Sequence, residues 1–458
     1  MVQVIVAKEK HDCEHLLGKA LDESHYDILI GTGGDIDDDV DVYIPPLCDL
    51  SIKSTCESEC NSCEKGQDER RVALKFRKNY FNQEEHDIAY DGLRDAAVLS
   101  NNRGVAAGSI EDNAEMEKFE RRQRFTQQQK DILDYFVNPT STLDGSNPLE
   151  DIKQKLYTKS ELRTTVWLTN KIPENFKFDE LIAELEAMDP IHAKEKALYV
   201  MKNWISSTVY AVPAYSGISG WWSRTPRQPY GRATGYTDHD FEKFKLSYPF
   251  LKTLNDAFKE LLPWRWSNQK RAADKIDPEF LVPETVFTTI TVNKSFMTHT
   301  HRDAGDFSDG FSNLLVLSKN DNYDGCYLVF PEYRIAVNIR PKDLCLINNH
   351  EILHGNTKFV ETAEGGERIS VIAYFREDML ELGTKEYEDY RKLFVDTRRK
   401  DESHPLWRKL WNGVSPKMWE SKEWYDFLLQ HEKGRQWIND YHPELISLFE
   451  SVSLDEFF

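Results

Sequence analysis

The pattern of hydrophobic and polar residues changes at about residue 283 and again after Arg376. Between these positions, short runs rich in Val, Ile, Thr, Phe and Tyr are separated by Gly, Asn, Asp and Pro, which is typical of β-strands joined by turns. Closely spaced runs of this kind predict an antiparallel sandwich or barrel. The runs are TVFTTITVN, FSNLLVLS, GCYLVFP, YRIAVNI, DLCLIN and RISVIAYF.

The segments on either side have a different pattern. Two short strand-like runs, VQVIVA and YDILIG, lie near the amino terminus, and charged, periodic stretches such as FDELIAELEAM and AKEKALYVMKNWI predict amphipathic helices. A Trp-rich helical pattern follows the strand-rich region. We therefore predict an α+β protein with an accessory region at 1–195, mixed and then mostly helical, a core domain at 196–380, and a helical extension at 381–458 that packs on the core.

The composition is that of an ordinary soluble globular protein, with 40% hydrophobic and 30% charged residues among 458. The opening VQVIVA lacks the basic flank and long apolar region of a signal peptide, and no apolar stretch approaches the length needed to span a bilayer. These features predict a cytoplasmic protein without a membrane partner. The formal net charge of -20 argues against indiscriminate binding to nucleic acid.

One segment departs from this acidic character. Between Asn203 and Thr237 there is no Asp or Glu. Arginine among aromatic residues suits phosphate contact and base stacking, so this segment is predicted to hold a nucleic-acid strand. The alternative is a loop that its aromatic residues pack onto the core. The residues concerned are Trp221, Trp222, Arg224, Arg227 and Arg232.

The seven cysteines are an odd number, which favours thiols or metal ligands over a disulfide framework. Four of them, Cys48, Cys56, Cys60 and Cys63, lie close together and could bind a structural zinc ion. Their outer spacing fits no paired CxxC ribbon, so ordinary reduced cysteines are the alternative.

The stretch NHEILHGNT contains His350, Glu351 and His354 in the order H-E-x-x-H. On a helix this spacing would place two imidazoles one turn apart on a zinc ion, as in metalloproteases. The preceding DLCLINN has the pattern of a strand, however, and Gly355 follows at once. A zinc peptidase would require both histidines on one helix, and the pattern predicts none.

A second set of residues fits a metal site better. His301 and Asp303 follow one predicted strand, His354 follows a later one, and Arg368 begins the next. Two histidines and one carboxylate form the facial triad of non-haem iron(II) oxygenases, which leaves positions open for a 2-oxo acid and oxygen. Arg368 could pair with the distal carboxylate of 2-oxoglutarate, and Ser370, two residues along the strand, could add a hydroxyl. The alternative is a set of unrelated surface and core histidines.

The region 285–376 also resembles a known family. The motifs H-R-D-x-G-D, V-F-P-E-Y and H-G-N-T, with RISVIAYFRE after them, are similar to the core of the TET/JBP oxygenases, and phage-encoded members are the most similar. The resemblance implies a double-stranded β-helix of the jelly-roll or cupin type that uses Fe(II), 2-oxoglutarate and O₂. It implies His301, Asp303 and His354 as iron ligands, Arg368 as the 2-oxoglutarate anchor, and Asp306 near the target base.

The resulting functional prediction is a dioxygenase that hydroxylates the 5-methyl group of 5-methylcytosine or thymine in DNA. Such a methyl group lies in the major groove, so the base would have to be flipped or single-stranded. An ionised Asp306 would accept a hydrogen bond from the base, unless it only caps a turn. Two alternatives remain: an oxygenase acting on a free nucleotide, a protein side chain or a small metabolite, and a non-catalytic nucleic-acid-binding module.

Overall fold

The computed structural model describes residues 2–7, 9–44, 69–100, 103–108, 124–139, 147–156, 166–167, 176–203, 214–225, 228–403 and 416–450. The chain divides into two compact units, one of Met1–Ser100 with Ala214–Phe458 and one of Asn101–Pro213. Five residues singled out in the sequence lie outside the described residues: Cys48, Cys56, Cys60, Cys63 and Arg227.

Most of the strands belong to the first unit. In the described part of the chain they are β1 (Gln3–Val6), β2 (Ile28–Gly31), β3 (Val40–Tyr43), β4 (Val72–Arg77), β5 (Leu99–Ser100), β6 (Arg124–Phe125), β7 (Val166–Trp167), β8 (Ala214–Trp222), β9 (Arg232–Ala233), β10 (Thr289–Lys294), β11 (Ser312–Leu317), β12 (Tyr323–Gly325), β13 (Leu328–Phe330), β14 (Ile335–Asn338), β15 (Leu344–Ile347), β16 (Gly355–Asn356), β17 (Phe359–Glu361) and β18 (Ile369–Tyr374).

Helices precede and follow this strand-rich region. Over the described residues they are α1 (Gln83–Leu93), α2 (Gln127–Val137), α3 (Pro148–Gln154), α4 (Phe178–Ala187), α5 (Pro190–Asn203), α6 (Gly235–His239), α7 (Phe241–Leu246), α8 (Tyr248–Leu261), α9 (Pro263–Ala273), α10 (Lys385–Lys400), α11 (Lys422–Leu429), α12 (Gly434–Tyr441) and α13 (Pro443–Glu450).

Two sheets form the core of the first unit, which is a double-stranded β-helix. The large sheet has the order β1-β3-β4-β15-β11-β18-β10-β8-β5, with β9 beside β8, and the small sheet has the order β16-β13-β14-β2. The strands β10, β11, β15 and β18 pair in antiparallel fashion. The six strands predicted between residues 283 and 376 are all present, so the predicted fold class is confirmed.

Alternation along the central strands gives the large sheet two buried faces. In β18, Ile372 and Tyr374 join a hydrophobic cluster to which both sheets contribute, whereas Val371 and Ala373 join a cluster shared with α1, α8 and α9. Successive side chains of a strand point to opposite faces, so one sheet packs on the small sheet on one side and on helices on the other.

The amino-terminal strands do not match the predicted division at residue 195. Strand β4 pairs with β15, β3 pairs with β4, and β2 runs parallel to β14, so Met1–Ser100 contributes to both core sheets. The described residues of Met1–Ser100 therefore belong to the sheet core, whereas the sequence pattern placed them in an accessory region. Strand patterns in the sequence do not specify the partner strand, which explains the difference.

The second unit is mostly helical. Its hydrophobic cluster is built from α2, α3, α4 and α5 around Leu133, Leu181 and Ala197. Helix α2 begins at a capping box in which Thr126 accepts from the amide of Gln129 and the Gln129 side chain accepts from the amide of Thr126. The amphipathic helices predicted here are present.

The carboxy-terminal helices have their own aromatic cluster, centred on Tyr387, Trp424 and Trp437. Tyr230, from the segment after β8, belongs to the same cluster, so these helices pack on the rest of the first unit. In the part of the chain that is described, no helix is long and apolar enough to cross a membrane.

Candidate metal centre

The three predicted iron ligands lie on two loops joined by backbone hydrogen bonds. His301 and Asp303 follow β10, and His354 follows β15. The amide of His301 donates to the carbonyl oxygen of His354 at 2.9 Å, and the amide of His354 donates to that of His301 at 3.0 Å. The amide of Asp303 donates to the carbonyl oxygen of Asn349 at 3.0 Å. Main-chain geometry therefore sets the distance between the loops.

The three side chains converge. The Nε2 atom of His301 lies 3.3 Å from Oδ1 of Asp303, and Nε2 of His354 lies 3.9 Å from Oδ2 of the same carboxylate. One ligand atom from each residue lies within 4.8 Å of the others. No other group of three metal-ligating side chains was found among the described residues.

Each imidazole is oriented by its second nitrogen. Nδ1 of His301 lies 2.6 Å from the carbonyl oxygen of His299, and Nδ1 of His354 lies 3.0 Å from that of Ile352. A carbonyl oxygen can only accept, so Nδ1 carries the proton and Nε2 presents its lone pair to the site. This is the tautomer that a metal requires.

The site holds its ligands in their metal-binding protonation states. Burial alone would raise the pKa of Asp303, but its interactions with His301, His354 and Asn349 outweigh the burial, so the pKa falls below its ordinary value. Burial, with repulsion from His301, lowers the pKa of His354 to about 4. At neutral pH a carboxylate therefore faces a neutral imidazole.

These residues fit a ferrous ion. Two neutral imidazoles and one carboxylate are the donor set of the facial triad, which occupies one side of an octahedral metal and leaves the other open. The side chain of Asn349 donates to Oδ2 of Asp303 at 3.0 Å and fixes the carboxylate. A tetrahedral zinc site would lack an evident fourth protein ligand among the described residues.

The predicted anchor for 2-oxoglutarate is a buried arginine without an acidic partner. Arg368 is only 4% exposed, and its guanidinium has no ion pair or hydrogen bond with any described residue. Ser370, also buried, lies two residues further on the same face of β18. Burying an uncompensated cation is costly, so this arrangement points to an anion that completes the site.

Comparison with known proteins gives the same answer as the geometry. Residues 222–377 match the family model Tet_JBP, described as the oxygenase domain of the 2OGFeDO superfamily. Residues 222–377 are therefore similar to a Tet_JBP oxygenase domain. The superfamily uses Fe(II) and 2-oxoglutarate, which agrees with the triad and with Arg368.

Several curated proteins are similar to part of the chain. The bifunctional helicase and thymine dioxygenase JBP2 of Leishmania infantum is 29% identical over 55% of this chain and 22% of its own length. JBP2 of Trypanosoma brucei brucei is 39% identical over 28% of this chain and 11% of its own length, and thymine dioxygenase JBP1 of Leishmania braziliensis is 27% identical over 42% and 23%. The chain thus spans less than a quarter of these relatives.

Among solved structures, NgTET1 in complex with 5mC DNA is 12% identical. That comparison covers 59% of this chain and 98% of NgTET1, with a TM-score of 0.31.

Asp306 lies three residues after Asp303 and is buried. It lines a small recess, partly open to solvent, together with Gln269, Asn349 and His350. Burial and the charge of Asp303 raise the pKa of Asp306 well above its ordinary value. Desolvation therefore favours the neutral acid, which can donate as well as accept, over the ionised Asp306 expected from the sequence.

The H-E-x-x-H motif does not lie on a helix. Residues 349–352 form turns, and His350 lines the recess while His354 faces Asp303. The amide of Ile352 donates to the carbonyl oxygen of Asn348 at 3.2 Å, which closes the turn after β15. The two histidines are not one helical turn apart, so the requirement for a zinc peptidase is not met.

The arginines predicted to hold a nucleic-acid strand are engaged within the protein. Arg224 forms a two-pronged ion pair with the fully buried Glu388. Arg232 donates to the carbonyl oxygen of Ser223 at 2.8 Å and lies beside Tyr230. The structure therefore contradicts an open phosphate-binding role for Arg224 and Arg232, because the partners that fix them lie in the fold.

The two tryptophans of the same segment differ from each other. Trp221 is buried in the core, edge-on to Phe244, and so cannot stack on a base. Trp222 is partly buried, and the guanidinium of Arg376 lies 4.0 Å above its ring centre. Of the two tryptophans, Trp222 is the one connected to the recess, because it packs against Arg376, which forms a β-bridge with Asp306.

Two further residues border the site that the sequence analysis did not single out. Arg376 forms a β-bridge with Asp306. The neighbouring Gly305 has a left-handed backbone (φ +100°), and a Cβ at this position would lie 2.7 Å from the guanidinium of Arg376, so glycine leaves the room that this guanidinium needs. Tyr323 is buried within the electrostatic reach of both Arg368 and Arg340. The only sequence signal was the position of Arg376 at the end of RISVIAYFRE.

Proposed function

We propose that this protein is an Fe(II)- and 2-oxoglutarate-dependent dioxygenase that hydroxylates the 5-methyl group of a pyrimidine in DNA. The observation that carries the proposal is the convergence of His301, Asp303 and His354. It is supported by the unpaired, buried Arg368 and by the match of residues 222–377 to an oxygenase domain. The relatives named thymine dioxygenases favour thymine over 5-methylcytosine.

In this proposal His301, Asp303 and His354 hold Fe(II). When bound with 2-oxoglutarate and oxygen, the ion supplies the oxidising chemistry that hydroxylates an unactivated methyl group, with release of succinate and carbon dioxide. The protein supplies geometry: the Nδ1 contacts to backbone carbonyls keep both imidazoles facing inwards, and Asn349 keeps the carboxylate in place.

The co-substrate is bound by the polar groups at the start of β18. Arg368 pairs with the distal carboxylate in a charge-assisted hydrogen bond, which is stronger because the site is buried. Ser370 on the same face and the hydroxyl of Tyr323 can add neutral donors. Exclusion of water from this part of the site protects the oxidising step from side reactions.

In this proposal the target base lies at the mouth of the recess that Asp306 lines. Asp306, neutral by burial, can donate and accept at once along the edge of a pyrimidine. A base paired within a duplex could not reach this recess, so the proposed substrate is a flipped or single-stranded nucleotide.

The test is incubation of the full chain with Fe(II), 2-oxoglutarate and ascorbate, followed by mass spectrometry of the nucleosides. One set of oligonucleotides contains thymine as its only 5-methylpyrimidine, and a second set also contains 5-methylcytosine. Each set is tested as single strands and as duplexes. We expect a hydroxymethyl product from one of them and an equal amount of succinate. Succinate without any modified base would reject the DNA substrate, and neither product would reject the oxygenase.

One observation favours a second substrate class, a free nucleotide. Arg224 and Arg232 are held inside the fold, and the net charge of -20 repels a phosphate backbone at long range. A competition assay that contains the oligonucleotides together with thymidine monophosphate or 5-methyldeoxycytidine monophosphate distinguishes the two substrate classes. Faster hydroxylation of the monophosphate would favour this alternative.

A further inference from the structure

The V-F-P-E-Y motif has no role in the metal centre described so far. Glu332 lies in the 3-10 turn Pro331–Tyr333 that follows β13 on the small sheet. Its side chain is 2% exposed, although it is not one of the three converging residues. A buried carboxylate costs free energy unless several partners compensate it, so its contacts indicate its purpose.

Glu332 contacts both ligand loops. Its Oε2 accepts a hydrogen bond from the amide of Leu353 at 2.9 Å, and Leu353 immediately precedes His354. Its Oε1 accepts one from Nη2 of Arg302 at 3.0 Å, and Arg302 stands between His301 and Asp303. One carboxylate therefore connects the loop with two ligands to the loop with the third.

Arg302 strengthens the same connection. Its Nε donates to the carbonyl oxygen of Glu351 at 3.0 Å, so it also spans the two loops directly. Its Nη2 pairs with Glu14 of the amino-terminal segment at 2.6 Å. Lys10 pairs with Oε1 of Glu332 at 3.2 Å, and the amide of His11 donates to the carbonyl oxygen of Glu332 at 2.8 Å.

We propose that Glu332 is a positioning residue for the metal centre, acting through Arg302 and the amide of Leu353. It holds the two ligand loops at the spacing that a single metal ion requires, and the segment around Lys10 and Glu14 supports it. The inference rests on the proposed metal site. Groups that orient ligands through hydrogen bonds commonly change metal affinity by about 10- to 100-fold when removed.

The test compares Glu332→Gln, Arg302→Met and Arg302→Lys with the wild-type full chain. Anaerobic titration with Co(II) gives the affinity, and the Co(II) absorption spectrum reports the ligand geometry. We expect Glu332→Gln and Arg302→Met to bind about 10-fold more weakly or worse, with altered spectra, and Arg302→Lys to recover part of the affinity. Arg302 is 29% exposed, so its variants keep the test decisive if Glu332→Gln fails to fold.

The matched control is Arg334→Met. Arg334 lies in the same hairpin and forms a two-pronged ion pair with Asp27, with both distances 2.6 Å, but contacts neither ligand loop. It should lower stability without changing Co(II) affinity or spectrum. If Glu332→Gln and Arg302→Met both keep the wild-type Co(II) affinity and spectrum, the positioning role of Glu332 is overturned and the proposed function is not. If the wild-type chain itself binds no Co(II), the proposed function is overturned as well.

Discussion

His301 and His354 are partners in an isolated antiparallel bridge as well as neighbours at the metal centre. Their amides donate to each other's carbonyl oxygens, and their ring centres lie 4.4 Å apart. The spacing of the two imidazoles is thus built into the backbone before any ion binds. A preformed site of this kind loses less conformational entropy on binding than one formed from mobile side chains.

The two histidines of H-E-x-x-H should respond differently to substitution. We expect His354→Ala to abolish binding of one equivalent of Fe(II) or Co(II), because it removes one of three ligands. His350→Ala should retain the full stoichiometry, since His350 lines the recess and not the metal centre. Equilibrium dialysis under anaerobic conditions measures both, and loss of metal from His350→Ala would contradict the triad.

Substitution of Arg368 should weaken 2-oxoglutarate binding specifically. A hydrogen bond to a charged group contributes about 1.5–3 kcal/mol, so Arg368→Met should raise the Kd for 2-oxoglutarate by about 10- to 100-fold. Calorimetry with the Co(II)-loaded protein measures this. The internal control is a 2-oxo acid without a distal carboxylate, for which wild type and variant should have equal affinity. An equal loss for both ligands would point to a disrupted fold.

Asp306 should act as a neutral donor and acceptor. Asp306→Asn keeps both functions in a similar shape and should retain much of the base hydroxylation, whereas Asp306→Leu should lose most of it. Uncoupled formation of succinate, measured without DNA, should persist in both. Asp309→Asn, an exposed change in the same loop, is the control. Inactivity of Asp306→Asn equal to that of Asp306→Leu would argue for an ionised carboxylate.

Arg224 should prove structural. Its partner Glu388 is fully buried and also accepts from the amides of Gly231 and Gly383, so Arg224→Met leaves a buried carboxylate undercompensated. We expect a loss of about 3 kcal/mol or more in the free energy of unfolding, measured with urea.

For comparison, Lys422→Met breaks the exposed pair with Asp426 and should cost about 1 kcal/mol or less. At temperatures where Arg224→Met is folded, its DNA affinity should keep the wild-type salt dependence. A flatter salt dependence would restore the phosphate-binding role predicted from the sequence.

Glu367, next to Arg368, should make stability depend on acid pH. Burial alone would raise its pKa, but hydrogen bonds from Arg94, Lys294 and Tyr90 lower the pKa to about 2. Because the folded-state pKa lies below the unfolded one, this stabilisation is complete above the ordinary glutamate pKa and disappears as the pH falls towards 2.

Glu367→Gln should therefore unfold more easily than wild type at pH 7, by about 1–3 kcal/mol. The difference between the two proteins should narrow as the pH falls from the ordinary value of 4.5 towards 2. Urea unfolding followed by circular dichroism measures it, with the exposed Glu364→Gln as control. A difference that stays constant over this pH range would exclude the ionised Glu367 as its source.

The sequence predicted the catalytic strands and the ligand set because both depend on local pattern. Strands β11 and β18 are short runs rich in apolar residues and buried along their length. His301 and Asp303 follow one strand and Arg368 precedes another, in loops that can bring polar groups together. The motif order therefore carried enough information to select a metal and a co-substrate.

Properties set by distant partners could not be predicted in the same way. The acid-free stretch around Arg224 looked basic because its partner Glu388 lies 164 residues further along the chain. The neutral state of Asp306 depends on burial by the folded protein. The place of β4 beside β15 depends on tertiary pairing, which a short apolar run leaves open.

Strand β2 forms the outer edge of the small sheet, and β3 and β4 extend the large sheet beyond β15. A truncated protein that starts at residue 196 would lack β2 and β4, the strands that pair with β14 and β15. Two bared strand edges would then be open to pairing between molecules, a common route to aggregation. Expression of a minimal catalytic fragment therefore has to retain the first hundred residues.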